Sequence, residues 1–182
     1  YKYNEEITED WMKYCRGCII DKSTNQLIFI PQPKAIEINY PVNETNFNTS
    51  NIEFTNLVDG TMINLFFHND KWLMSTRSDI GCLNKWDNKL NFKKMFEESI
   101  GSNTFYDYLS TNFTYSFVLL HKNNRNVSSI ETNCVILIEV YNKSTFEKID
   151  NIRATLDEQI YSNNSVYTLE NLKIDFDSIE SI

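Results

Sequence analysis

Alanine, proline and glycine are scarce in this chain, with 2, 3 and 4 copies among 182 residues. So little glycine and proline excludes collagen-like, linker-like and low-complexity architectures. Histidine occurs only at His68 and His121, far apart in sequence, which offers no histidine pair for catalysis or metal binding. Apolar runs such as Val135-Ile136-Leu137-Ile138 fall far short of the roughly 20 residues that a spanning helix needs, so no membrane span is expected. Basic residues are outnumbered 17 to 25, for a net charge of −8, and such a balance repels nucleic acid unless cations cluster locally. Residues Tyr1 to Asp10 carry four acidic groups and no apolar stretch, so no secretory signal is visible, although a chain that starts without Met is compatible with trimming.

Aromatic residues, by contrast, make up 14% of the chain, with 12 Phe and 10 Tyr, and hydrophobic residues 41%. That is enough for a real core and rules out disorder as the main state. The length suits one domain over residues 1–182. Counts of 24 Asn and 20 Ile point to AT-rich coding sequence, as in many large DNA viruses. The same bias accounts for six Asn-x-Ser/Thr matches, at Asn43, Asn48, Asn112, Asn126, Asn142 and Asn163, without invoking secretion. Of the four cysteines only Cys15-Arg16-Gly17-Cys18 has ligand-like spacing, with no second pair and no nearby His. Four reduced, mostly buried thiols in a cytoplasmic or virion-associated protein are the expectation, and zinc or thiol-disulfide work the weaker reading.

The chain reads as a short helix over 8–15, strands over 16–20 and 26–30 around a turn at Asp21 to Asn25, and three strands over 52–58, 61–67 and 71–76 joined by tight turns. The last three imply an antiparallel meander. Leu90, Phe92, Met95, Phe96 and Ile100 follow helical spacing within a helix over 86–100, and a second helix is expected over 104–110. Strands return at 113–121 and 134–141, with a helix near 152–161. Lys85, Lys89, Lys93 and Lys94 read as a solvated helix face, and Trp72 and Trp86 as core packing. Strands outnumber helices and no βαβ alternation appears, so the class is α+β with mostly antiparallel sheet.

One set of segments stands out in order: Cys15 to Asp21, Pro31-Gln32-Pro33-Lys34, Phe54 to Thr61, Trp72 to Gly81, Phe117 to His121 and Asn124 to Val127. Over residues 11–141 these resemble the adenylylation domain of phage-type RNA ligases, in the covalent nucleotidyltransferase superfamily of ATP-dependent ligases and capping enzymes. The resemblance implies the nucleotidyltransferase fold, ATP and Mg²⁺ as cofactors, and RNA or a nucleotide as partner. In that family a lysine next to an Asp-Gly turn attacks the ATP α-phosphate and forms a lysyl-AMP intermediate. Carried over by position, Arg16, Gly17, Thr55, Asp59, Gly60, Arg77 and Phe117 become nucleotide-binding residues, and Val118 takes the place of a ribose-binding carboxylate.

The departures from the pattern decide the expected function. The lysine position holds Asn56, whose carboxamide nitrogen is no nucleophile. Val118 accepts no hydrogen bond, and after Tyr141 there is neither a Glu-Gly nor a Lys-x-Lys, as though the domain were incomplete past about residue 141. The resemblance therefore implies a pseudo-enzyme that keeps the fold as a binding or assembly module in a larger complex and needs no cofactor. Two alternatives stand beside it: an ATP-dependent RNA ligase inactivated at position 56, and an unrelated α+β protein.

Overall fold

A computed structural model of the chain describes residues 9–33, 54–55, 57–86, 90–149, 162–163 and 166–167. The chain divides into two compact units, one of Tyr1–Lys34 with Asp59–Asn163, the other of Ala35–Val58 with Asn164–Ile182. In the second, β3 (Phe54–Thr55) pairs antiparallel with β9 (Val166–Tyr167).

The first unit is built on a five-stranded sheet. Its strands are β4 (Thr61–His68), β5 (Lys71–Ser75), β6 (Phe113–Leu120), β7 (Cys134–Asn142) and β8 (Ser162–Asn163), in the order β5-β4-β6-β7-β8. Every neighbouring pair is antiparallel except β7–β8. Among the described residues it also holds a hairpin of β1 (Ile19–Ile20) and β2 (Leu27–Phe29), one helix α1 (Phe92–Ile100), and the 3-10 turns Asp10–Tyr14 and Asn103–Tyr108. The expected α+β class with antiparallel sheet is therefore what the chain adopts.

Local chemistry sets the element ends. Asn69 and Asp70 have φ of 50° and 58°, the left-handed pair that a two-residue hairpin turn between β4 and β5 requires. Asn91 caps α1, its side-chain oxygen accepting the Lys94 N–H at 2.9 Å, and Gly101 ends it at φ 70°. The helix thus starts at Phe92 and not at residue 86 as its spacing suggested, and Trp86 is 64% exposed instead of packed in the core. Trp72 does pack against the core, and Lys93 sits on a solvated face, 3.8 Å from Glu97. Where a helix over 104–110 was expected, Asn103–Tyr108 form a 3-10 segment. The helix expected near 152–161 lies outside the described residues.

The meander over residues 52–76 is corrected in one respect. β4 and β5 form the hairpin, but β3 pairs with β9, and β4 takes β6 as its second neighbour. Asp59-Gly60 is accordingly no hairpin turn. The Asp59 carboxylate accepts the backbone N–H groups of Val127 and Ser128 at 2.6 and 2.8 Å, which ties the start of β4 to the loop after β6. The cysteine expectation is also revised: all four are free, but only Cys82 is buried, Cys15 is exposed, and Cys18 and Cys134 are half-buried.

Side chains alternate across the sheet, so each face has its own character. Ile63, Leu65, Met74, Tyr115, Phe117, Leu119, Val135, Leu137 and Val140 share one core with Met95 and Phe96 of α1 and with Phe105. Within it the Phe117 ring lies 5.9 Å from Phe96 and 5.7 Å from Phe105, an edge-on and tilted cluster of the kind aromatic quadrupoles favour. On the other face Phe66 stacks on Phe29 of the hairpin at 5.4 Å, with Ile19, Ile28 and Leu73 around them. Beside that contact a polar row crosses the strands.

Candidate functional site

Antiparallel register brings three chain segments to one end of the sheet: the start of β4, the end of β5 and the end of β6. Two groups of the expected site residues assemble there. The first is a cavity of about 370 Å³ between the hairpin and the loop after β5, lined by Gly17 to Ile20 and by Ser75 to Ile80. Gly17 and Arg77, 60 positions apart in sequence, meet in its wall. Gly17 has φ 100°, and a side chain there would place its Cβ 3.4 Å from the Arg77 carbonyl oxygen. The space there would admit a Cβ, and it is the left-handed backbone of Gly17 that favours glycine.

The loop that carries Arg77 is held by its own side chains. Thr76 Oγ1 accepts the N–H groups of Asp79 at 3.1 Å and Ser78 at 3.4 Å, and Asp79 Oδ2 accepts those of Leu83 at 2.8 Å and Asn84 at 3.2 Å. Such short polar side chains folding back on the backbone fix a loop without secondary structure. Arg77 itself is exposed, and the exposed apolar side chains Ile20 and Ile80 line the same cavity. An arginine among the lining residues is suited to an anionic group such as a phosphate.

The second group surrounds Gly60. A Cβ on this residue would lie 2.5 Å from Val118 Cγ1 and 2.6 Å from the Leu119 carbonyl oxygen, so only glycine lets β4 begin against β6. Asn124 joins the same corner by donating to Thr61 Oγ1 at 2.9 Å. Asp59, Gly60, Val118 and the Asn124-Arg125 turn are thus brought together, and the work that Asp59 and Gly60 visibly do there is structural. Phe117 points to the other face of the sheet and is completely buried, so its ring presents no surface to a ligand. Its expected role as a nucleotide contact is replaced by core packing. Arg16 lies in the turn between the first 3-10 segment and β1, next to Gly17. Thr55 lies in β3 opposite Val166. Asn56, expected from the resemblance to stand where a lysine would, lies outside the described residues.

Sequence reasoning missed the polar row on the hairpin side of the sheet. Ser75 and Ser116 both stand opposite Asn64, and Ser116 stands opposite Glu139. Ser116 Oγ donates to Asn64 Oδ1 at 3.0 Å, Asn64 Nδ2 donates to Ser75 Oγ at 3.5 Å, and all three residues are buried. Glu139 accepts from the Tyr141 hydroxyl at 2.6 Å and lies 3.5 Å from the Lys148 ammonium. Burial, with Glu139 beside it, pushes the Tyr141 hydroxyl up and keeps it protonated as a donor. The signal available in sequence was polar residues at alternate positions of strands that are otherwise apolar. The histidines take structural partners: His68 Nε2 is 3.4 Å from Asp21, and the buried His121 accepts the Asn123 N–H on Nδ1 while Nε2 faces Glu98 at 3.1 Å.

Among the described residues no three of His, Cys, Asp and Glu gather to hold an ion, Asp59 Oδ2 accepts two backbone N–H groups, and Val118 has no donor atom. No described helix is long and apolar enough to cross a membrane.

No protein-family model matches the chain. It is similar to a protein of Invertebrate iridescent virus 3 described as an immediate-early protein ICP-46 homolog, at 25% identity over 130 residues. The match takes in 63% of this chain but only 29% of that viral protein, so the chain spans less than a third of the relative's length. A viral relative agrees with the compositional bias toward Asn and Ile.

Proposed function

We propose that this chain is an RNA-ligase-like nucleotidyltransferase module that has lost its nucleophile at Asn56 and serves as a non-catalytic binding or assembly element, with nucleotide or RNA phosphate as the group it recognises. The observation that carries this reading is the meeting of Gly17 and Arg77 in one cavity wall, since the resemblance makes both nucleotide-binding residues. Arg77 supplies the charge that holds a phosphate, the Thr76 and Asp79 side chains fix its loop, and Gly17 lets the ligand approach backbone. Val118 offers no hydrogen bond to a ribose. That loss lowers affinity by about 1.5 to 3 kcal/mol, the worth of one charge-assisted bond.

Two measurements test the reading. Intact mass after incubation with ATP and Mg²⁺ should show no gain of AMP, because a carboxamide at position 56 cannot displace pyrophosphate. Calorimetric titration should give an ATP affinity in the millimolar range, about tenfold weaker or more in Arg77→Ala. A metal-dependent AMP adduct would overturn the loss of catalysis. Absence of ATP binding, or binding indifferent to Arg77, would overturn the cavity as the phosphate site.

A further inference from the structure

Cys15 and Cys18 are the first and last residues of a tight turn over Arg16 and Gly17, immediately after the 3-10 segment Asp10–Tyr14. We propose that they form a reversible dithiol–disulfide pair that closes across Arg16-Gly17 and staples the wall of the Gly17/Arg77 cavity. The geometry of turns and three observations support it. The ends of such a turn lie within about 7 Å of each other, and a disulfide spans Cα separations of roughly 4.4 to 6.8 Å. Gly17, at φ 100°, supplies the left-handed residue that reverses the chain between the two cysteines. The Cys18 thiol already points back along the turn, donating to the Cys15 carbonyl oxygen at 3.5 Å. Cys15 is exposed while Cys18 is half-buried, the arrangement of an attacking thiol and a resolving one. Gly17 and Cys18 both line the cavity, so a bond across the turn stiffens that wall.

The chemistry needs a disulfide oxidant, of which oxidised glutathione is the probe. The Cys15 thiolate attacks one sulfur of the oxidant, forming a mixed disulfide and expelling one glutathione thiolate. The Cys18 thiolate then attacks the Cys15 sulfur and expels the second. Two protons leave the protein thiols and are taken up by two glutathione molecules, and the protein is oxidised by two electrons. Closing so short a loop makes the second step fast relative to capture of another molecule, and the strain of a four-residue ring keeps the bond reducible. The inference rests on the turn and is independent of what the cavity binds.

The chain is exposed to oxidised glutathione, remaining thiols are capped with N-ethylmaleimide, and the product is digested with trypsin. Cleavage after Lys13, Arg16 and Lys22 leaves Tyr14–Arg16 and Gly17–Lys22 as separate peptides unless Cys15 and Cys18 are joined. The expected result is one disulfide-linked pair of these peptides, separated by dithiothreitol, with Cys82 and Cys134 not part of the linkage. In Cys18→Ser the reaction should stop at a glutathione adduct on Cys15, and in Cys15→Ser the linked pair should disappear. Hydrogen exchange at Cys18–Ile20 should slow in the oxidised protein. Maleimide on both Cys15 and Cys18 of the treated protein, a persistent glutathione adduct on the unaltered chain, a linkage through Cys134, or unchanged exchange at Cys18–Ile20 would overturn the proposal.

Discussion

The two faces of the central sheet are made from the same strands and solve burial differently. Toward α1 the strands present Phe, Tyr, Leu, Ile and Val, and the face is closed by Phe96 and Phe105 through shape and ring geometry. Toward the β1–β2 hairpin they present Asn64, Ser75, Thr114, Ser116 and Glu139, beside a smaller apolar cluster of Phe66 and Leu73 with Phe29, Ile19 and Ile28 of the hairpin. An apolar face gains free energy with every buried methylene and tolerates approximate partners. A buried polar face is favourable only when its donors and acceptors are matched, so its geometry is specified more narrowly. Both groups of expected site residues sit at the end of the sheet where the polar face opens, beside Gly17, Arg77 and Gly60.

Phe117 and Ser116 are sequence neighbours on opposite faces, and changing each in turn sets the two kinds of burial against each other. Phe117→Ala removes a fully buried ring from the aromatic cluster and should cost about 3 to 5 kcal/mol, read as a lower urea midpoint with an unchanged slope. A cost below about 1 kcal/mol would mean that this face is loosely packed.

Ser116→Ala removes only the hydroxyl and strands the Asn64 oxygen without its donor, and should cost about 1 to 3 kcal/mol. Combining it with Asn64→Leu, which removes the stranded group, should recover part of that loss in a double-mutant cycle. Strict additivity of the two changes would show that the Ser116–Asn64 bond contributes nothing to the polar face.

The smallest effect concerns the hairpin that covers this face. The Ser23 hydroxyl and backbone N–H, at 2.6 and 2.7 Å, hold the Asp21 carboxyl below its ordinary value, with the Thr24 N–H and His68 adding to the same direction. A carboxyl whose folded value is depressed stabilises the fold above its unfolded value, near 3.9, and loses that contribution as pH falls through the folded value. The difference in melting temperature between the unaltered chain and Asp21→Asn should therefore be present at pH about 6 and close by pH about 2. A difference that does not change with pH would remove the carboxylate from the account of the hairpin.

Much of the fold was legible because it rests on local chemistry. The apolar runs on either side of the turn at His68-Asn69-Asp70, and the spacing of Phe92, Met95 and Phe96, each encode an element within a few residues. The cavity was legible in part: Gly17 and Arg77 were picked by position, but the side chains that fix the loop around Arg77, Thr76 and Asp79, are recognisable only from their backbone contacts. Asp59-Gly60 misled, because an Asp-Gly pair looks the same whether it closes a hairpin or, as here, anchors a loop almost 70 residues away.

By itself, then, the sequence determined the class: too aromatic for disorder, too short in its apolar runs for a membrane helix, and with more strand-like than helix-like segments and no βαβ alternation. Tertiary structure alone decided that β3 pairs with β9, that Phe117 belongs to the core while Val118 abuts Gly60, and that Ser116 meets Asn64. The physical reason is range. Propensity and periodicity act over a handful of residues, whereas a partner across the sheet is chosen by register among distant segments, and register is fixed only when whole faces are buried together.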